Sequence, residues 1–521
     1  MNKKKYILIY IALILLCTGN VFATTYYMGS GETYTTLTTA FAAMSGGDTL
    51  IIRDGTYTGA DNQMGTYQVY PPNGTAEAYT VVRAENEGQV TFDGEGARCM
   101  FFFNGAGTHQ YLEFHGIKWV DSSEAGTNMY GMDHIKFFRC GFNTSAPGNT
   151  MNCLIGPNAS YILLEECYAW GEGRYDFELF ISDHIILRRC VGRLDYVDTT
   201  MPIANFQNYC SQYVEFQNCI AIDSSTHSYW DPGYYHTEGG FTMHDSYDGE
   251  DAEYVNYVGC IVLNHSGPGI VHQDDGVNDI SFENCVVWDI GKDSSETYRD
   301  GMTGSAGTNV SVSHMTIGNL ELDGVDDWQV DTYSVTNSII YDCSEDGLNH
   351  ITSSDYNCVY GNGDDYDDVS AGAHDYSAEG GNSTIDPIDG TPGNGTAALK
   401  YLVRIENGSD LDGAASDSGD IGATILKKIG VSGTLWGESG YATVQSDNLW
   451  PFPYEDQIRT DMRSYNPGGT DETKPDGKRG FCADGQTLTT YIWEYLGNEI
   501  PSEIYGTTLI SSPKNFRRVL Q

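Results

Sequence analysis

The phrase "SFENCVVWDIG" (residues 281–291) sets one cysteine between an asparagine and a run of valines, in what reads as a short strand. The setting recurs as "FFRCGF" (137–142), "LLEECYA" (163–169), "ILRRCVG" (186–192), "EFQNCIA" (215–221) and "NYVGCIV" (256–262). The marked residues are Cys140, Cys167, Cys190, Cys219, Cys260 and Cys285, at intervals of 27, 23, 29, 41 and 25. The same slot is followed to Met315 in "VSHMTI", Ser338 in "VTNSII" and Cys358 in "DYNCVY", and back to Gly116 in "EFHGIK". Units of this size, built of short β-branched and aromatic strands between Gly, Asn and Asp turns, are the signature of a solenoid. No amphipathic helical stretch lies between the strands of a unit. That removes helical and leucine-rich repeats and leaves an all-β, parallel β-helix.

In a parallel β-helix, equivalent residues of successive coils stack about 4.8 Å apart. A side chain pointing inward at a tight turn must be small, and cysteine fills that slot as a small hydrophobe. The six ladder cysteines are therefore read as free, buried thiols. Cys99, Cys153, Cys210, Cys343 and Cys482 lie off the ladder, with room for a bridge among them. No CxxC or CxxCH spacing occurs, so zinc ribbons and c-type haem find no support.

The 521-residue chain opens with "MNKKKYILIYIALILLCTGNVFA", three lysines followed by an apolar run and a small residue at Ala23. Residues 1–23 read as a signal peptide, too short to span a membrane and followed by no stop-transfer segment. The expectation is a secreted protein, extracellular or periplasmic, with no membrane insertion. The formal net charge is −45, and removing the first 23 residues takes away three lysines and no acids, giving 24 minus 72, or −48. Such a surface repels nucleic acid and anionic membranes, and meets a polyuronate only with a cation such as Ca²⁺ between them. It is equally the solvated surface of a soluble secreted protein.

The stretch "YTTLTTAFAAMSGGDTLIIRDGTYTG" has a short helical segment at 36–44, a Gly-Gly-Asp turn and a strand at 49–53. This resembles the N-terminal cap and first coil of the pectate-lyase-like right-handed parallel β-helix superfamily, and "VVRAENEGQVTFDGEG" looks like the next coil. The resemblance covers residues 24–422 and implies a helix that plugs the open end of the apolar core. Beyond "GDIGATIL" the texture changes: "LWPFPYEDQIRTDM" is rich in proline and aromatics, and "LTTYIWEYLG" reads as a helix stopped by Gly497. The expected organisation is therefore a β-helix domain over 24–430, then an irregular C-terminal segment or small module over 431–521, packed on the helix.

Function has to come from a site, because this superfamily hosts lyases, hydrolases, epimerases and non-catalytic fibre proteins. Groove-side strands are expected at "YDFELF" (175–180), "ANFQNY" (204–209), "GGFTMHD" (239–245), "GIVHQDD" (269–275), "DGMTGS" (300–305) and "DGVDDW" (323–328). Period-2 alternation puts Phe177, Phe206, Phe241 and Met302 inside, and Asp176, Glu178, Asn205, Gln207, Thr242 and His244 outside. The interval between Cys219 and Cys260 adds a long loop carrying Tyr229, Trp230, Tyr235, His236 and Glu238. Aromatic rings stack on pyranose faces and amides or carboxylates bond hydroxyls, so the expected partner is a polysaccharide.

Two chemistries fit such a face. β-Elimination on a uronic-acid polymer needs a neutralised carboxylate and a base. "ECYAWGEGRYDFEL" looks like the coil phrase of the calcium-dependent pectate lyases, which use a groove aspartate cluster for Ca²⁺ and a lysine as base. Between residues 100 and 399 the lysines are Lys118, Lys136 and Lys292, none on an expected groove strand, so the chain departs from that pattern. His236 or His244 is then the expected base, Arg174 or Arg193 the expected partner of the substrate carboxylate, and Asp176 with Glu178 the expected Ca²⁺ ligands. Hydrolysis instead needs a carboxylate pair, which Asp176, Glu178, Glu238, Asp274 and Asp275 would have to supply. The third alternative is a non-catalytic adhesin or surface fibre protein that binds glycans. "GNGDDYDDVS" (361–370) and "DLDGAASDSGDIG" (410–422) read as acidic turns or surface Ca²⁺ sites.

Overall fold

A computed structural model describes residues 23–146, 148–195, 203–224, 239–244, 251–273, 277–291, 299–304, 307–327, 332–390, 395–466 and 477–505. The signal reading of residues 1–23 falls almost wholly outside them.

Each coil contributes three short strands. In the middle of the chain these are Tyr175–Phe180, Asp183–Arg188 and Val191–Leu194. The first stacks in parallel between Met151–Ile155 and Ala204–Tyr209, the second between Ser160–Glu165 and Gln212–Gln217, and the third between Tyr168–Gly171 and Ile220–Ser224. We call the three stacks the groove face, the rear face and the second sheet. Repeated along the chain, they form the expected right-handed parallel β-helix. The helix Leu37–Phe41, N-capped by the Thr36 side chain, buries Leu37, Ala40 and Phe41 against the first coils. That covers the apolar end as expected.

The cysteine ladder has a backbone cause. The residue before each ladder position lies in the left-handed region: Arg139, Glu166, Arg189, Asn218, Gly259 and Asn284 have φ between 53° and 65°. That turns the chain sharply and aims the next side chain into the core, at a local cost of about 1–2 kcal/mol for a non-glycine residue. Rungs are tied through the backbone, with Val191 N donating to Cys167 O at 3.0 Å and Ile220 N donating to Cys190 O at 2.8 Å. All six ladder cysteines are in the core. The ladder's ends differ from expectation by one residue. Gly116 and Tyr356 are themselves the left-handed residues, at φ 63° and 59°, so the inward slots belong to Ile117 and Asn357. Cys358 instead pairs with Ile339. Among the described residues the off-ladder cysteines form no disulfide, and all twelve described cysteines are buried.

The two solenoid sheets end at Asp364–Asp367 and Cys358–Tyr360. "GDDYDD" is thus the last strand of the groove face rather than a turn, and the chain continues through parallel bridges at Tyr376 and Asn382. It then runs back along the outer side of the second sheet. There Tyr168, Trp170, Ile220, Leu263 and Trp288 pack against Leu402, Ile425, Trp450, Ile458, Phe481 and Trp493. Leu435 extends the cover to Leu163 and Ile186 of the rear face. Buried ion pairs fix the segment. Arg193 pairs with Asp195 at 2.8 Å and donates to Met462 O and Gly477 O, and Arg479 pairs with the same Asp195 at 2.7 Å. Arg188 and Arg189 share Glu165 and donate to Val431 O and Ile429 O. The helix Leu488–Trp493 falls where "LTTYIW" predicts it.

Candidate functional site on the groove face

Along Tyr175–Phe180 the core takes Phe177 and Leu179, so Glu178 and Phe180 face outward. The same parity on the next two coils turns out Gln207 and Tyr209, then Thr242 and His244. Register joins these into two columns. The first runs Phe102, Asn128, Leu154, Glu178, Gln207, Thr242, Val271, Thr303, Asp326, Asn349, Asp367. The second, two residues further along each strand, runs Phe180, Tyr209, His244, Gln273. Phe180 meets Tyr209 edge-on at 5.4 Å, and His244 stacks on Tyr209 at 5.0 Å. A polar row therefore lies beside an aromatic row.

The polar row is desolvated without being satisfied. Glu178 is 6% exposed, Gln207 1% and Thr242 0%. Among the described residues Glu178 Oε2, Gln207 Oε1, Thr242 Oγ1, Asn128 Oδ1 and Asn349 Oδ1 find no hydrogen-bond partner. Each such group costs about 1–3 kcal/mol if left without a partner, so a row of them calls for ordered water, an ion or a ligand. Burial pushes the Glu178 carboxyl up to about 7, with the Arg174 charge pulling the other way. The Arg174 guanidinium lies 4.5 Å over the Tyr175 ring and donates to Asn149 Oδ1 at 2.7 Å. Tyr175 is itself raised, first by burial and also by Glu178 and Tyr209, so Arg174, Tyr175, Glu178 and Tyr209 form one neighbourhood.

Further along, Asp300 and Asp323 sit in the turns before the groove strands, and Asp346 is the first residue of the next one. Each of the first two accepts from the next coil, through Asp323 N at 3.3 Å and Asp346 N at 2.6 Å. Burial and then mutual repulsion raise Asp300 to about 8; burial raises Asp323 to about 6. The face is thus neutral and aromatic in the middle and acidic towards the last coils. His350 is paired there with Asp326 at 2.9 Å and Asp368 at 3.3 Å.

Glu178, Gln207, Thr242 and His244 are outward as expected. Asp176 and Asn205 are not. At the bend that opens each groove strand two successive side chains turn inward, and a Cβ on Gly192 of the second sheet would meet Asp176 Oδ2 at 2.9 Å and Asn205 Cβ at 3.2 Å. Asp176 accepts from Asn152 Nδ2 at 2.9 Å and Asn205 Nδ2 at 2.8 Å, and burial holds its carboxyl well above the usual range. Asp176 and Glu178 therefore point to opposite sides of one strand and do not share a Ca²⁺ ion. Among the described residues no group of three or more His, Cys, Asp or Glu side chains is placed to hold a metal. Arg193 belongs to the second sheet, fully buried under the C-terminal segment, so it does not meet a substrate carboxylate. Tyr229, Trp230, Tyr235, His236, Glu238, Asp274 and Asp275 lie outside the described residues. Phe180, Tyr209, Thr303, Asp326 and Asn349 were missed, although carrying the alternation two residues further, and on to "DGMTG", "DGVDD" and "DGLNH", places them all.

No protein-family model matches the chain, and no curated protein matches it. Several solved structures do. Pectate lyase Pel9A is 13% identical over 77% of this chain and 96% of its own, with a TM-score of 0.35. The mannuronan C-5 epimerase AlgE6 A-module of Azotobacter vinelandii is 10% identical over 67% and 92%, with a TM-score of 0.38. An alginate lyase from Paenibacillus sp. strain FPU-7 is 13% identical over 67% and 98%, with a TM-score of 0.32. At these identities the likeness concerns the parallel β-helix fold alone. Among the described residues no helix is long and apolar enough to cross a membrane.

Proposed function

We propose that the chain is a carbohydrate-active β-helix protein that binds an extended polysaccharide along the groove face and cleaves an acidic one by β-elimination. The observation that carries this reading is the pair of columns, polar and desolvated beside aromatic, running in register across successive coils. A sugar chain supplies hydroxyls to Glu178, Gln207 and Thr242 and ring faces to Phe180, Tyr209 and His244. Solved β-helix structures of similar fold include pectate and alginate lyases, which agrees with this reading.

In the proposed reaction Arg174 pairs with the uronate carboxylate. Glu178, whose carboxyl is raised to about 7, is part-protonated at neutral pH and donates to the same group or to the leaving glycosidic oxygen. His244, two coils from Glu178, accepts the carbon-bound proton, and Tyr209 in the coil between them holds the imidazole by stacking. Hydrolysis is less well served. Around the aromatic row the column carboxylate nearest Glu178 among the described residues is Asp326, five coils or about 24 Å away, where a glycosidase pair needs about 5–9.5 Å. Asp326 and Asp367, two coils or about 10 Å apart, lie at the acidic end away from the aromatic row. Glycan binding without catalysis is the second reading, favoured by the lack of a lysine among the described residues of the two outward columns.

The test incubates the protein with a panel of acidic and neutral polysaccharides, and follows binding together with the appearance of unsaturated ends. Unsaturated products that vanish in Arg174→Ala support elimination. Binding without products supports the second reading, and reducing ends without unsaturation would overturn both.

A further inference from the structure

The first rung of the polar column is not polar. Phe102 faces outward between the core residues Phe101 and Phe103, and its register partner is Asn128. The neighbouring rung is Gly65, where a Cβ would stand 2.1 Å from Phe102 O, so that strand lays no side chain over the ring. Instead the following loop brings Tyr67 onto Phe102, with centroids 4.8 Å apart and planes at 27°. Tyr70 stacks on His109 at 4.1 Å and 13°.

Both tyrosines are clamped by their hydroxyls: Tyr67 to the Glu124 carboxylate at 2.9 Å, and Tyr70 to Thr66 Oγ1 at 2.9 Å. Each spends one ring face on its partner and keeps the other for solvent, at 43% and 38% exposure. Burial holds the His109 imidazole below its usual range, so this ring is neutral at neutral pH. Rigid, exposed, uncharged aromatic faces with hydroxyls fixed at their edges are what a pyranose stacks on, because no ordering cost remains to be met on binding.

We propose that Tyr67 and Tyr70 form an aromatic subsite for a pyranose ring at the N-terminal end of the groove, on the same glycan that Glu178 contacts. The inference rests on the groove reading above and adds a place and a ligand class to it. Phe102 and Glu178 are three coils apart, about 14 Å along the face. Only oligosaccharides long enough to bridge that span reach both.

The experiment measures affinity for a length series of oligosaccharides, cut from whichever polysaccharide the wild type binds, by Tyr67→Ala, Tyr70→Ala and Tyr67→Phe. Thermal unfolding is followed alongside. The expected result is a loss on the order of tenfold per alanine for the long oligomers. Short oligomers should bind as to the wild type, and Tyr67→Phe, which keeps the ring, should bind within about twofold of it. Alanine variants that unfold like the wild type and bind every length equally well would overturn the subsite while leaving the groove in place. A wild type that binds no glycan of any length overturns the groove reading itself.

Discussion

Replacing Glu178 by glutamine should make the protein more stable at alkaline pH and weaker in glycan binding. The carboxyl is 6% exposed and its Oε2 finds no hydrogen-bond partner among the described residues. Burial raises it from 4.5 to about 7. At about 1.4 kcal/mol per unit, ionising Glu178 in the folded protein costs about 3 kcal/mol relative to the unfolded chain. The sign follows from proton counting. Between pH 4.5 and about 7 the folded state holds more protons at this site than the unfolded state, so stability falls as pH rises through that window and levels off above it. Glutamine keeps the shape and removes the titration. For a chain this long, 3 kcal/mol corresponds to roughly 3 °C in Tm. Differential scanning calorimetry of wild type and E178Q at pH 4.5 and pH 8.5 should give equal Tm values at the lower pH and a gain of about that size for E178Q at the higher. Identical pH profiles for the two proteins would refute the claim that this carboxyl is held raised by desolvation.

Arg193→Ala should leave the Asp195 carboxylate with Arg479 and the Gly171 N–H, and take one donor each from the backbone oxygens of Met462 and Gly477. The expected loss is about 3–5 kcal/mol, with proteolytic release of C-terminal fragments and glycan binding on the opposite face retained. In the native state the ladder thiols should react slowly with a maleimide and become available only on unfolding, since all six are buried. Rapid native labelling of most of them would contradict the ladder. Asp300, raised to about 8, should make stability decline from about pH 4 to pH 8, and Asp300→Asn should flatten that part of the profile. An unaltered profile counts against the acidic end of the groove face.

The fold was legible because the repeat is written in small residues at turns, and these are dictated by the backbone. A left-handed residue followed by an inward side chain recurs from Arg139–Cys140 to Asn337–Ser338. The slips at Gly116 and Cys358 came from aligning on residue type when the left-handed position was the true marker. Alternation placed Glu178, Gln207, Thr242 and His244 correctly because those positions lie inside regular strand. It failed at Asp176 and Asn205, the second residues of their strands, because there two successive side chains turn inward and the period of two is broken. Arg193 could not be read as an anchor from local sequence. Its partners, Met462 and Gly477, are more than 260 residues away, and a strand arginine looks the same whether it faces substrate or a returning segment.

The central claim is that sugar lies on the two outward columns, and oxidative footprinting tests it most directly. Hydroxyl radicals modify exposed aromatic rings, and a bound chain shields them. With a bound polysaccharide, Phe180, Tyr209 and His244 should lose reactivity together, while Tyr254, on the rear face and 42% exposed, keeps its own. Protection of Tyr254 with undiminished reactivity at Phe180, Tyr209 and His244 would place the ligand elsewhere and contradict the account.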